Sequence, residues 1–152
     1  MESTSPGLAG LFSDLVRLET ELWDRIDGRL RRDHELPLSW FEPMQVMDRV
    51  VDCRVADIAE ELSITVGGVS KLVDRIQRAG WCARAPHPRD ARSSVVALTG
   101  AGRRLLGTAT ASFDDELDVL LGAAIAPARL ESFASTVQDL RWHLAGLQEG
   151  DR

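Results

Sequence analysis

Apolar residues recur every three or four positions along most of this chain, the spacing of helices that bury one face. Leu8, Leu11, Phe12, Leu15, Leu18, Leu22, Trp23, Ile26 and Leu30 set the first run. Ser5-Pro6 reads as an N-cap followed by Pro at the first helical position. Pro37 disfavours helix just before it, so this run should fade near Asp33. A second helix is expected from Ser39, with Glu42 three residues on as a capping box. Pro43 removes an early backbone donor there, while Met44, Val46, Met47 and Val50 continue the apolar stretch. Val55, Ile58, Ala59 and Leu62 mark a short third helix. Ser63-Ile64-Thr65 then forms a tight break. Thr65 can cap a fourth helix, and Gly80 can end it in the left-handed conformation. Val69, Leu72, Val73 and Ile76 point inward, leaving Gly67, Ser70, Lys71, Asp74, Arg75 and Arg78 outside.

The period then changes. Trp81 to Ala85 and Ser94 to Leu98 read as two short strands. Between them Pro86 to Ser93 contains two prolines, which forbid helix and predict a long connecting loop. Thr99 caps a fifth helix with the stripe Leu105, Leu106, Ala109, Phe113, Leu117, Leu120 and Leu121, and Pro127 opens a sixth. In that last helix Leu130, Phe133, Val137, Leu140, Leu144 and Leu147 alternate in steps of three and four, the period of a coiled-coil seam. The expected fold is mainly α, six helices and a β-hairpin, with no internal repeat.

Charge sharpens this picture. The chain of 152 residues carries a net charge of −6, which argues against a nucleic-acid binder, but the distribution reverses it. Residues 65–104 hold Lys71, Arg75, Arg78, Arg84, Arg89, Arg92, Arg103 and Arg104 against Asp74 and Asp90, a net +6, and the remainder carries −12. One segment is suited to phosphate while the rest repels it. No apolar run is long enough to span a bilayer, and nothing at the N-terminus resembles a secretory leader; the expectation is a cytoplasmic protein. Cys53 and Cys82 lack a CxxC partner and read as reduced thiols. His34, His87 and His143 are scattered, so no metal is expected. No phosphate loop, nucleophile elbow or acid-base grouping suggests an enzyme, and no cofactor is expected.

The order helix, tight turn, helix, hairpin has a specific use. A short third helix braces a fourth whose outer face can enter the major groove, where each base pair shows a distinct donor and acceptor pattern. Thr65, Gly67 and Gly68 shape its N-terminus. The glycines cost helix stability, about 1 kcal/mol each relative to Ala, and can let the free N–H groups approach phosphate. Ser70, Lys71 and Arg75 can reach phosphate or base edges. Arg84, Arg89 and Arg92 belong to the hairpin, and an Arg at its tip can enter the minor groove. Asp90 is suited to orient Arg92 or Arg89 by a charge-assisted hydrogen bond.

The segment RVADIAEELSITVGGVSKLVDRIQRAGWCAR (Arg54 to Arg84), followed by PRDARSSVVALTGAG (Pro88 to Gly102), resembles the core of the MarR family of bacterial regulators. The likeness is dense from about Ser39 to Leu106, and the Asp-x-Arg-Ser wing with Leu-Thr-x-x-Gly downstream is its more specific part. It implies a winged helix-turn-helix at 37–99, with Val66 to Ala79 as recognition helix and Arg92, supported by Asp90, as wing arginine. Ala91 stands where members often carry a second basic residue, for which Arg89 can compensate. It also implies a homodimer built from terminal helices, 1–36 and 123–152, joined by a connecting helix at 100–122. Leu11, Leu15, Leu130, Phe133, Val137, Leu140 and Leu144 are the dimerisation candidates. The implied partners are a pseudo-palindromic duplex DNA and a small, often aromatic or phenolic, effector that releases a repressor from DNA.

Arg17, Trp23, Trp40, Met44 and Phe113, with Phe41 and Met47, are candidates to line an effector cavity, with Arg17 or His34 holding an anionic group. Two other readings stay open: a redox sensor using Cys53 or Cys82, and a helical dimer that holds a protein partner.

Overall fold

The computed structural model describes residues 7–150, and the side chains of 91 and 148–150 are outside the description. The element order is α1 (Leu8–His34), α2 (Leu38–Arg49), α3 (Val55–Leu62), α4 (Val66–Arg78), β1 (Cys82–His87), β2 (Asp90–Leu98), α5 (Gly100–Leu117), a π-helical turn (Asp118–Gly122) and α6 (Pro127–Gly150). This is the mainly helical winged architecture that the pattern predicts. Contacts divide the chain into two compact units, Met1–Phe113 and Asp114–Arg152.

In the first unit the core is made by one face of each helix. Ile26 and Leu30 of α1, Phe41, Met44, Val46 and Met47 of α2, Ile58 and Ala59 of α3, and Val69, Val73 and Ile76 of α4 are buried. Val96 and Leu98 of β2, with Leu106 and Ala109 of α5, complete it. No polar or charged side chain among the described residues is buried, so apolar burial dominates the lobe.

Helix ends follow local chemistry, with two departures. Ser5-Pro6, the expected cap of α1, lies outside the described residues. The Ser39–Glu42 capping box is not formed. Helix α2 begins at Leu38 with Pro37 as N-cap and no side-chain cap of its own. Its first donor is satisfied from another helix: the Leu38 N–H donates to Asp27 Oδ1 on α1 at 2.8 Å. Ser39 is therefore already helical, and Pro43 sits inside the helix, buried. The second departure is the hairpin. Pro86 does not open a long loop; it lies in β1 opposite Ser94. A two-stranded ribbon leaves each strand an outer edge, where the missing proline donor costs no ladder bond. The ladder is irregular after Pro86, where His87 pairs directly with Asp90 and Ala91 to Ser93 bulge from β2. The reversal is thus made by Pro88-Arg89 alone.

In the second unit the expected single run at 100–122 is interrupted. The α-helical part ends at Leu117, and Asp118–Gly122 widens into a π turn before α6. No residue between 127 and 147 is buried.

Candidate nucleic-acid interface

Helix α3, the turn and α4 are fixed by terminal hydrogen bonding. The Asp57 carboxylate accepts from the Arg54 N–H at 2.7 Å and secures the start of α3. Ser63 ends that helix in the left-handed region, φ 54°, and the Ile64 N–H returns to the Ala59 carbonyl. Thr65 caps α4 as expected, its Oγ1 accepting from the Gly68 N–H at 3.1 Å. At the other end Gly80 has φ 84°, with the Gly80 N–H bonded to Gln77 O and the Trp81 N–H to Ile76 O. That is the Schellman arrangement, which favours glycine at the left-handed position.

With Val69, Val73 and Ile76 held inward, α4 turns Gly67, Gly68, Lys71, Arg75 and Arg78 to solvent, while Ser70 and Asp74 are half-buried. Beside the turn lies an open cleft of about 720 Å³ lined by Ser63, Ile64, Thr65, Gly68, Lys71, Leu72 and Arg75. Two exposed cations, Lys71 and Arg75, therefore share a concave surface beside the start of α4, an arrangement suited to a polyanion. A Cβ on Gly68 would stand 3.1 Å from Thr65 Oγ1, the atom that caps the helix, whereas one on Gly67 would meet nothing. Space is thus tight at 68 and open at 67.

The hairpin leaves from the C-terminal end of α4 and is tied back to it. Arg84 Nη1 donates to Asp74 Oδ1 at 2.6 Å and to Gln77 Oε1 at 3.2 Å, and Nη2 donates to the Ser70 carbonyl at 3.3 Å. Arg84 was expected among the DNA contacts; in the single chain its guanidinium is engaged with α4. The sequence reading missed Gln77 altogether, although Ser70, Asp74 and Gln77 are spaced to share one side of a helix.

At the hairpin end Arg89 and Arg92 are exposed. Asp90 acts differently from expectation: its Oδ1 accepts from the Arg92 backbone N–H at 3.1 Å rather than from a guanidinium. It shapes the bulge that carries Arg92, as an Asx turn does. His87 Nδ1 similarly accepts from the Arg89 N–H.

The base of the hairpin is locked to α5. Thr99 Oγ1 donates to Gly80 O at 2.7 Å and accepts from the Gly102 N–H at 3.0 Å. A Cβ on Gly102 would lie 1.9 Å from the Trp81 carbonyl oxygen, so only glycine fits. The Leu-Thr-x-x-Gly stretch is therefore a joint between α4, the hairpin and α5. The Val96 N–H also donates to Cys53 O at 2.7 Å, joining β2 to the segment before α3.

The effector candidates differ in exposure and surroundings. Met44 is fully buried and belongs to the core. Phe113 packs on Phe41, ring centroids 4.8 Å apart. His34 Nε2 bonds Ser112 Oγ at 2.8 Å, so that ring already has a partner. Arg17 is exposed, Trp40 is half-buried, and Trp23 lines a cavity of about 340 Å³ with Glu19 and Thr20. Both cysteines are buried, and burial is the main cause that pushes each thiol up to about 11. Little thiolate exists near neutral pH at such values, which removes the physical support for redox sensing. No helix among the described residues is long and apolar enough to cross a membrane.

Comparison with known proteins agrees with this geometry. Residues 35–93 match the model of the MarR family. Multiple antibiotic resistance protein MarR of Escherichia coli (strain K12) is 35% identical over 46 residues, 30% of this chain; the match spans only 32% of that protein. Sco3205 of Streptomyces coelicolor, a MarR family transcriptional regulator solved in complex with DNA, superposes with a TM-score of 0.81 at 21% identity over 88% of each chain. CouR of Rhodococcus jostii RHA1, solved bound to p-coumaroyl-CoA, superposes with a TM-score of 0.77 at 19% identity over 92% of this chain and 95% of its own. The chain thus shares the winged helix-turn-helix fold of these regulators, and its residues 35–93 are similar to the MarR family.

Proposed function

We propose that this chain is a transcription regulator that binds duplex DNA as a homodimer, α4 entering the major groove and the hairpin lying over the adjacent minor groove. The observation that carries the reading is the solvent face of α4, where Lys71, Arg75 and Arg78 stand exposed on a helix whose N-terminus Thr65 caps. Thr65, Gly67 and Gly68 bring the helix start to phosphate; Ser70, Lys71 and Arg75 face the groove; Arg89 and Arg92 extend the contact, with Asp90 holding the backbone that presents Arg92. Two-fold pairing predicts a pseudo-palindromic site with half-sites one helical turn apart, about 10 bp. The complex of Sco3205 with DNA supports this use of the fold.

Dimerisation through Leu11 and Leu15 of α1 and through Leu130, Phe133, Val137, Leu140 and Leu144 of α6 would cover apolar side chains that the single chain leaves open or half-open. The regulator acts as a repressor released by a small aromatic ligand, in keeping with CouR and its bound p-coumaroyl-CoA. Trp23, with Arg17, Trp40 and Phe113, is the candidate for this role that remains solvent-accessible. Titration of aromatic acids should quench its fluorescence and release DNA together; release without a signal change that depends on Trp23 would place the effector elsewhere.

Selection of duplexes from a random pool, followed by binding at graded salt, tests the main reading. Steep salt dependence is expected, because each neutralised phosphate releases counterion. A chain indifferent to duplexes at low salt would end the proposal.

A further inference from the structure

We propose that Arg84 is a positioning residue that holds the hairpin at a fixed angle to α4, and that it does not itself contact phosphate. The inference deepens the DNA-binding reading and rests on it.

Three observations carry the assignment. Arg84 lies on β1, two residues into the strand, where a small rotation would sweep the hairpin tip widely. Its guanidinium makes three hydrogen bonds to three consecutive turns of one side of α4: Ser70 O, Asp74 Oδ1 and Gln77 Oε1. A planar fork satisfied in this way is directional, unlike a point charge. Further, the pair is half-shielded from water, side-chain exposures being 27% for Arg84 and 44% for Asp74.

The charge count changes with it. Asp74 neutralises Arg84, so neither adds to the net attraction for DNA. Asp74 is otherwise an odd residue on the outer side of a recognition helix, since it would repel phosphate. As the anchor of Arg84 it has a use. The exposed cations Lys71, Arg75, Arg78, Arg89 and Arg92 remain as the DNA-facing set. The bracket makes the helix cations and the hairpin cations one rigid pattern, so that groove spacing is read as a unit.

The test uses the full-length chain and duplexes that the wild-type protein selects from a random pool, with a scrambled duplex as reference. Arg84→Met keeps the stem and removes the fork. Its preference for selected over scrambled duplex should fall about tenfold, a loss of the size seen when a specific contact fails, while the slope of log affinity against log salt stays unchanged. Asp74→Asn should also lose preference, although it removes a negative charge. Arg84→Lys should recover only part of the loss. In a double-mutant cycle Arg92→Ala should cost less on the Arg84→Met background than on wild type, because an unfixed wing no longer places Arg92. A salt slope reduced by about 0.9, the value for one lost phosphate contact, would overturn the proposal. So would an Asp74→Asn variant that binds selected duplex more tightly with its preference intact. Amide exchange in β1 and β2 gives a readout that needs no DNA: faster exchange in Arg84→Met at unchanged melting temperature supports the bracket, and unchanged exchange overturns it. If the wild-type chain ignores duplexes while exchange responds, the DNA reading has failed and the bracket has not.

Discussion

In the lobe made by α2, α3, α4 and the hairpin, the apolar stripes close on one another; along the first half of α1 and all of α6 they stay open. Ile58, Val69, Val73 and Ile76 are fully or nearly fully buried, whereas Leu8 is 86% exposed, Phe12 69% and Leu144 58%. The residue types and the spacing are alike in both regions. What differs is whether a partner surface exists within the same chain. The lobe closes on its own contacts, and under the proposed dimer a second copy would cover the terminal helices.

The largest expected effect breaks the lobe at its joint. Gly102→Ala would put a methyl group 1.9 Å from the Trp81 carbonyl oxygen, a contact no side-chain rotation relieves. Overpacking against backbone costs about 3 kcal/mol at the upper end of such substitutions. Thermal denaturation should show a drop of several degrees and DNA binding should weaken with it. An unchanged melting temperature would mean that α5 and the hairpin base are not packed as described.

Leu144→Glu attacks the other region. Covering a leucine contributes about 1.5–3 kcal/mol, and a charge there adds a desolvation cost. Sedimentation should show dimer giving way to monomer, and Arg75→Ala should leave the dimer intact while weakening DNA binding. If Leu144→Glu leaves the assembly unchanged, α6 is not the seam. A smaller effect sharpens the lobe side of the contrast: Thr65→Ala removes the acceptor for the Gly68 N–H and should cost about 1 kcal/mol, read by chemical denaturation.

This contrast also explains what could be read before the fold was seen. Periodicity located all six helices, and Thr65, Gly80 and Thr99 were placed in their capping roles because each acts within a few residues of itself. The failures are long-range. Asp27 replaces the Ser39–Glu42 box at α2 from eleven residues upstream. The Arg84–Asp74 bond forms because β1 folds back on α4, a contact between residues ten apart that no local pattern shows. The Pro86 strand required knowledge that the ribbon has free edges. Effector candidates such as Met44 and Phe113 were drawn from apolar clustering, which cannot separate a cavity lining from a filled core.

The smallest effect lies where α1 meets α2. Glu42 is half-buried, and burial, aided by the negative charge of Glu19, raises its pKa above the ordinary 4.5. No hydrogen bond or ion pair to Glu42 occurs among the described residues. A carboxyl whose folded pKa is raised binds its proton more tightly in the folded state, so stability falls as pH rises between the unfolded and folded values. Above the raised value the full penalty is present; below the ordinary value it is gone. Glu42→Gln should therefore raise the melting temperature slightly near neutral pH, and the gain should vanish on the acid side of about pH 4. The opposite result, a variant less stable at neutral pH, would mean that a cation reaches Glu42 in the assembled protein.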